Sequence, residues 1–309
     1  MASSEKIGFI GLGMMGHGIA RNIVDKGYAL TFLGRRNRAP AEDLAGRGGR
    51  EVASAAEVAA GSTIVFICVT GSREVEAIVR GPDGLKGALK PGSIVVDCST
   101  SDPVSTTALA AELAADGIDF ADAPLSRTPK EAWEGTLDTM VGASDEVFAR
   151  LKPVLDTWAG KIVHIGATGD GHRMKLLNNF VSLGYAAIYA EALALARKVG
   201  ISPQRFDAVI SGGRMDCPFY QTFRRFTLEG DREAHKFTVA NAFKDLRYLE
   251  SMADAAGMVN PLGNATKNAF AVAHAAGADT DYVPMLPLHI GRLNGVDLSP
   301  EGRASDPAA

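Results

Sequence analysis

The sequence predicts an α/β protein: a doubly wound sheet domain, then one long helix leading into an all-helical C-terminal domain. Three observations carry this. Short apolar runs alternate with helix-like stretches from the N-terminus to about residue 168. The β-branched strand signals then stop, and long helical patterns run over 171–199, 203–211, 217–228, 238–257 and 261–276. At 309 residues the chain exceeds the size that one core usually serves, so two domains, 1–168 and 169–309, are expected.

The first strand, Ile7 to Ile10, leads into Gly11, Leu12, Gly13, Met14, Met15 and Gly16, and a helix over 16–26 follows and stops at Gly27. In such a strand, turn and helix the first glycine permits the bend, the second lets backbone approach a pyrophosphate, and the third lets helix and strand pack closely. The helix N-terminus then faces the phosphates. A Rossmann dinucleotide-binding domain is the reading. The second strand, 29–33, ends without the acid that would bind a ribose 2′-hydroxyl, and Gly34, Arg35, Arg36, Asn37 and Arg38 stand there instead. Guanidinium groups suit bidentate contact with a 2′-phosphate. NADP is therefore expected, with NAD as the alternative, and Arg35 and Arg36 are the candidate contacts; the bland reading is an exposed basic loop.

Strands at 64–69, 94–98, 118–121, 138–142 and 162–165 continue the alternation, with helices at 40–46, 54–59, 73–80, 104–115 and 145–156. Doubly wound sheets place ligands at the C-terminal ends of their strands. Val69 and Thr70 stand at one such end and Ser99 and Thr100 at the next, so Val69, Thr70 and Thr100 are candidate cofactor contacts. Capping of the helix after Pro103 is the other account of Ser99 and Thr100.

The first long helix carries Lys175 and Asn179 one turn apart, after the glycine-broken Gly169-Asp-Gly171. Residues at i and i+4 share a helix face, and Met174, Leu177, Val181 and Tyr185 mark the opposite, apolar one. A lysine can give a proton to a carbonyl oxygen or take one from a hydroxyl while the amide holds that oxygen in place. The start of this helix is expected to look into an interdomain cleft, near the nicotinamide. A solvated helix face is the alternative.

Composition narrows the classes. Hydrophobic content of 46%, charged content of 22% and a formal net charge of −4, without long charged blocks, give no nucleic-acid or membrane partner. No segment is expected to approach membrane-span length, and a cytoplasmic protein is the reading. Cys68, Cys98 and Cys217 lack metal-ligand spacing; no metal is expected, and buried reduced thiols are. The last residues, 299–309, are expected to fray.

Five motifs in order carry a family resemblance: Gly11 to Gly16; Asp97-Cys-Ser-Thr100; Asp122-Ala-Pro-Leu-Ser126 before Gly135-Thr-Leu137; Gly169 to Asn179; and Lys244-Asp245-Leu246. Over nearly its whole length the chain resembles the β-hydroxyacid dehydrogenases, which include 3-hydroxyisobutyrate dehydrogenase and tartronate semialdehyde reductase. The resemblance implies an NAD(P)-dependent oxidoreductase acting on a small anionic β-hydroxy acid or its aldehyde, and a homodimer or homotetramer built by the helical domain. It implies Lys175 as catalytic acid/base, Asn179 as its substrate-orienting partner, Thr100 near the nicotinamide ribose, Ser126 on the substrate acid group and Lys244 over nicotinamide and substrate. One departure stands out. The family usually has two glycines after the serine, and here Arg127, Thr128 and Pro129 follow. Arg127 and Thr128 thus become candidate substrate contacts, and a fixed cation favours a stronger or larger anion. That pair resembles the sulfolactaldehyde reductase branch, whose substrate ends in a sulfonate, and an NAD(H)-dependent sulfonate reductase is one alternative. Imine reductase and a non-catalytic dinucleotide-binding scaffold are others, and both fit Lys175 less well.

Overall fold

Strands buried on both faces read as continuous apolar runs when helices cover the sheet on either side, and the first half of the chain follows that rule. The computed structural model describes residues 5–300. The described residues divide into two compact units, the first running through Lys175 and the second from Leu176. In chain order the first holds β1 (Lys6–Ile10), α1 (Gly16–Asp25), β2 (Ala29–Leu33), α2 (Ala39–Gly46), β3 (Arg50–Val52), α3 (Ala55–Ala60), β4 (Ile64–Ile67), α4 (Ser72–Arg80), β5 (Ile94–Asp97) and α5 (Pro103–Ala114). β6 (Asp119–Asp122), β7 (Leu125–Ser126), α6 (Pro129–Glu134), β8 (Leu137–Gly142), α7 (Asp145–Leu155) and β9 (Ala159–Gly166) complete it, and α8 (Asp170–Lys198) starts in it and continues into the second unit.

The sheet order is β3-β2-β1-β4-β5-β6-β8-β7, with β9 on β8. From β3 to β6 every pairing is parallel. The side-chain period of two sends alternate residues to opposite faces: Ile7, Phe9, Ile64, Phe66, Ile94 and Val96 join one core, and Ile10, Val65, Ile67 and Val95 the other. The order reverses between β1 and β4, the place where doubly wound sheets open a crevice for a ligand.

The sheet is not parallel throughout, as the alternation had suggested. β8 runs antiparallel to β6 and β7, because the chain turns back at Pro124 and pairs Leu125 with Thr139 and Ser126 with Asp138 before returning parallel to β9. The sequence pattern also passed over β3, three residues with two charges, the two-residue β7, and α6, six residues capped by Thr128.

The second unit continues α8 and adds α9 (Pro203–Ile210), α10 (Pro218–Glu229), α11 (Val239–Ala255), α12 (Pro261–Ala275), a 3-10 turn (Val283–Met285) and α13 (Leu286–Leu293). Its core gathers Leu183, Ala186, Ala190, Leu193, Tyr220, Phe223, Leu246 and Phe270. Two expectations about α8 need correction. Met174, Leu177, Val181 and Tyr185 are exposed, and the face it buries carries Leu176, Asn179 and Leu183. At 29 residues, with mean hydropathy 1.3 over its most apolar window, α8 is also long and apolar enough to cross a membrane. Scattered polar residues such as Asn178, Ser182 and Glu191 mask this in the sequence; core helices meet the same criterion, and α8 contributes six buried side chains to the second core.

The three cysteines are free; Cys98 is buried and the others half-buried. Burial pushes the Cys68 thiol up to about 12, with the nearby Asp97 carboxylate adding to it. Of the tail expected to fray, 299–309, residues 301–309 lie outside the described residues.

Candidate active site

The glycine loop meets each demand of a dinucleotide cradle separately. Gly11 has φ +103, and a Cβ there would collide with the Cys68 carbonyl. At Gly16 a Cβ would strike the Gly11 carbonyl, so α1 can start this close to β1 only without one. Gly13 faces open space: no heavy atom lies within 4 Å of where its Cβ would be. That opening at the start of α1, where helix N–H groups have no intrahelical partners, fits a pyrophosphate. Leu12 and Met15 are half-buried beside it and Met14 is exposed.

At the end of β2, Arg35 and Arg36 are exposed. Arg38 is committed elsewhere: it holds Glu51 through both terminal guanidinium nitrogens, at 2.6 and 2.7 Å. Glu51 comes from β3 and its carboxylate crowds Gly34. An acid does therefore stand near this strand end, neutralised by its own arginine. The sequence reading missed it because β3 is too short to show a pattern.

The neighbouring loops are tied together. The Val69 N–H donates to Ser99 Oγ at 3.0 Å, and the Ser99 N–H donates to Asp97 at 2.8 Å. Thr70 is exposed and Thr100 half-buried. Under these loops lies a polar group that sequence reasoning did not find. Asp97 accepts from the Ser101 hydroxyl at 2.7 Å, and Asp122 accepts from the backbone N–H groups of Gly169 and His172, both at 2.6 Å. The His172 ring is fully buried, 2.8 Å from Thr106 Oγ1 and 3.2 Å from the Ser99 carbonyl. Burial pushes the Asp122 carboxyl above its usual range, against the pull of His172 and the two N–H groups.

Lys175 follows His172 by one turn and is half-buried. Asn179, one turn further, is buried, and its Nδ2 donates to Asp245 at 2.7 Å. The partner is a carboxylate, which only accepts, so the amide orientation is dictated. Lys244 is half-buried on α11, 3.0 Å from the other Asp245 oxygen and 5.1 Å from the centre of the Tyr248 ring. Asp245 thus joins two of the predicted residues within the second unit.

Ser126 ends β7, half-buried. Arg127 is the sole non-glycine with positive φ, +83, among the described residues. Its Nε donates to Asp138 at 2.8 Å, and this pairing holds its pKa above the ordinary arginine value. Thr128 is occupied as the cap of α6, in a reciprocal capping box with Glu131.

Comparison with known proteins covers both units. A family model described as the NAD binding domain of 6-phosphogluconate dehydrogenase matches residues 6–166. Another, described as the NAD-binding of NADP-dependent 3-hydroxyisobutyrate dehydrogenase, matches 169–288. The 2-(hydroxymethyl)glutarate dehydrogenase of Eubacterium barkeri is 37% identical over 75% of this chain and 77% of its own length. The 2-hydroxy-3-oxopropionate reductase of Escherichia coli is 33% identical over 83% and 87%. Among solved structures, the 3-hydroxyisobutyrate dehydrogenase of Mycobacterium tuberculosis with L-serine is 29% identical, with a TM-score of 0.81 over 94% of this chain and 99% of that one.

Proposed function

This chain belongs to the β-hydroxyacid dehydrogenases, NAD(P)-dependent oxidoreductases, and we propose that it moves hydride between NADP(H) and a small anionic β-hydroxy acid or its aldehyde, with Lys175 as the acid/base. The observation that carries this reading is the half-buried Lys175, one turn before an asparagine whose amide is fixed by a buried carboxylate. The bound cofactor supplies or receives the hydride. Lys175 gives a proton from Nζ to the carbonyl oxygen in reduction and takes one from the hydroxyl in oxidation. Asn179, its orientation set by Asp245, positions that oxygen.

Ser126 and Arg127 hold the acid group at the far end of the substrate. Asp138 engages Arg127 through Nε alone, which leaves the two terminal nitrogens as donors to an anion. Thr128 contributes by capping α6 and so fixing the loop. A carboxylate is the favoured anion, since the relatives act on a glutarate, an oxopropionate and a hydroxyisobutyrate by their names. NADP is favoured because Glu51 is neutralised by Arg38 and Arg35 and Arg36 remain exposed. The protein is read as a cytoplasmic homodimer or homotetramer; the exposed apolar stripe of Met174, Leu177, Val181, Tyr185 and Ile188 on α8 supports assembly.

Two measurements test the reading. A screen of small hydroxy acids and hydroxy sulfonates with both cofactors should show turnover of a hydroxy acid; turnover of sulfonates alone would move the substrate to that class, and none with either would contradict the reaction. In titrations NADPH should bind more tightly than NADH, and Arg35→Ala should weaken NADPH about tenfold, the size of one charge-assisted bond. Equal or tighter binding of NADH overturns the NADP assignment.

A further inference from the structure

The buried imidazole of His172 has no part in the chemistry above, yet it sits where the cofactor-side loops meet the helix of Lys175. We propose that His172 is a positioning residue, which locks the first turn of α8, and with it Lys175, to the loop that follows β5. The proposal rests on the reading of Lys175 as acid/base.

The hydrogen bonds define the lock. A carbonyl only accepts, so Nε2 carries a hydrogen to reach the Ser99 oxygen. On the other side Thr106 Oγ1 lies 2.8 Å from Nδ1 and 3.1 Å from the Asp102 carbonyl. The threonine either donates to Nδ1 or accepts from it and donates to Asp102, so the ring keeps both bonds whether neutral or protonated. The charged groups facing it are Asp97 from β5 and Asp122 from β6, each 3.7 Å from a ring nitrogen. Asp170 and Arg173, its neighbours on α8, pair with each other.

Ser99 links the lock to the cofactor side. Its carbonyl takes the His172 bond, its Oγ takes the Val69 N–H, and it precedes Thr100. The turn itself has no slack: a Cβ on Gly171 would meet the Met140 carbonyl at 2.5 Å and Asp122 at 2.8 Å. A wedge serving only to fill space here would be apolar, because a buried polar side chain stabilises only when its bonds are made. The ring therefore sets direction as well as volume, and Lys175 lies three residues along the same helix.

The test compares His172→Leu, which keeps bulk and removes both bonds, with His172→Gln, which can donate to Ser99 and accept from Thr106. Amide hydrogen exchange of residues 170–176 in the cofactor-free protein should speed up at least tenfold in His172→Leu and return towards wild type in His172→Gln. In oxidation of 3-hydroxyisobutyrate and 2-(hydroxymethyl)glutarate with NADP, His172→Leu should lose about tenfold to a hundredfold in kcat, as for a catalytic group displaced by an ångström or so. His172→Gln should restore most of it. Thr106→Val, milder and nearly isosteric, should shift both readouts in the same direction and gives the comparison if His172→Leu does not fold. In a Lys175→Ala background the leucine change should cost no further turnover. Unchanged exchange and kcat in folded His172→Leu and Thr106→Val would overturn the lock, as would an equal loss with Lys175 absent. Full activity of Lys175→Ala alone would instead overturn the acid/base reading.

Discussion

Two turns in the first unit make the same demand on the backbone and answer it differently. After β1 the chain needs positive φ and uses Gly11; after β7 it needs positive φ again and uses Arg127. Glycine reaches that region freely, whereas an L side chain is strained there. The glycine loop after β1 is therefore built from residues that relieve strain, and the loop after β7 keeps a residue that adds it. Strained residues persist where the surroundings over-determine them and cluster at functional sites. The contrast assigns a generic task to one loop and a chain-specific one to the other.

Replacing the glycines probes the first half of this contrast. Gly11→Ala combines positive φ with a collision against backbone that has nowhere to move. It should cost roughly 3 kcal/mol or more, seen as a collapse of the thermal transition by circular dichroism; a melting curve like that of wild type would show that the loop can rearrange. Gly13→Ala separates folding from binding. Its methyl meets nothing within 4 Å, so stability should change by no more than about 0.5 kcal/mol, while calorimetric titration should find dinucleotide affinity lowered at least tenfold. Undiminished affinity would mean the pyrophosphate does not approach at Gly13.

Arg127→Gly probes the other half, and its expected effects are smaller. The strain disappears together with the Asp138 ion pair, so Tm should stay level or rise. KM for an anionic hydroxy acid should rise about tenfold to a hundredfold, the loss of a charge-assisted hydrogen bond, while a neutral alcohol analogue and the cofactor should be little affected. A fall in Tm with unchanged KM would make Arg127 a structural clamp on Asp138.

The same contrast explains what could be read from the sequence. Gly11, Gly13 and Gly16 were legible because the backbone imposes their chemistry within six residues. Lys175 and Asn179 were legible because helix spacing puts them on one face. The roles of Glu51 and His172 were not: Glu51 acts from a three-residue strand, and His172 finds Thr106 and Ser99 at sequence separations of 66 and 73 residues. α13 was also missed, since it follows directly on a 3-10 turn and carries Pro287 and Gly291 where a regular helical pattern would show. The buried side of α8 was hidden because Met174, Leu177 and Val181 are as apolar as the residues that pack. Arg127 stood out in the sequence as a departure from a family pattern, but its positive φ and its bond to Asp138 are tertiary facts.

The central claim, that Lys175 carries the proton, is tested most directly by single-turnover kinetics of Lys175→Ala with cofactor already bound. Hydride transfer should slow by about 10² to 10⁴, with dinucleotide affinity and thermal stability unchanged. A folded mutant that transfers hydride at near the wild-type rate would contradict the account.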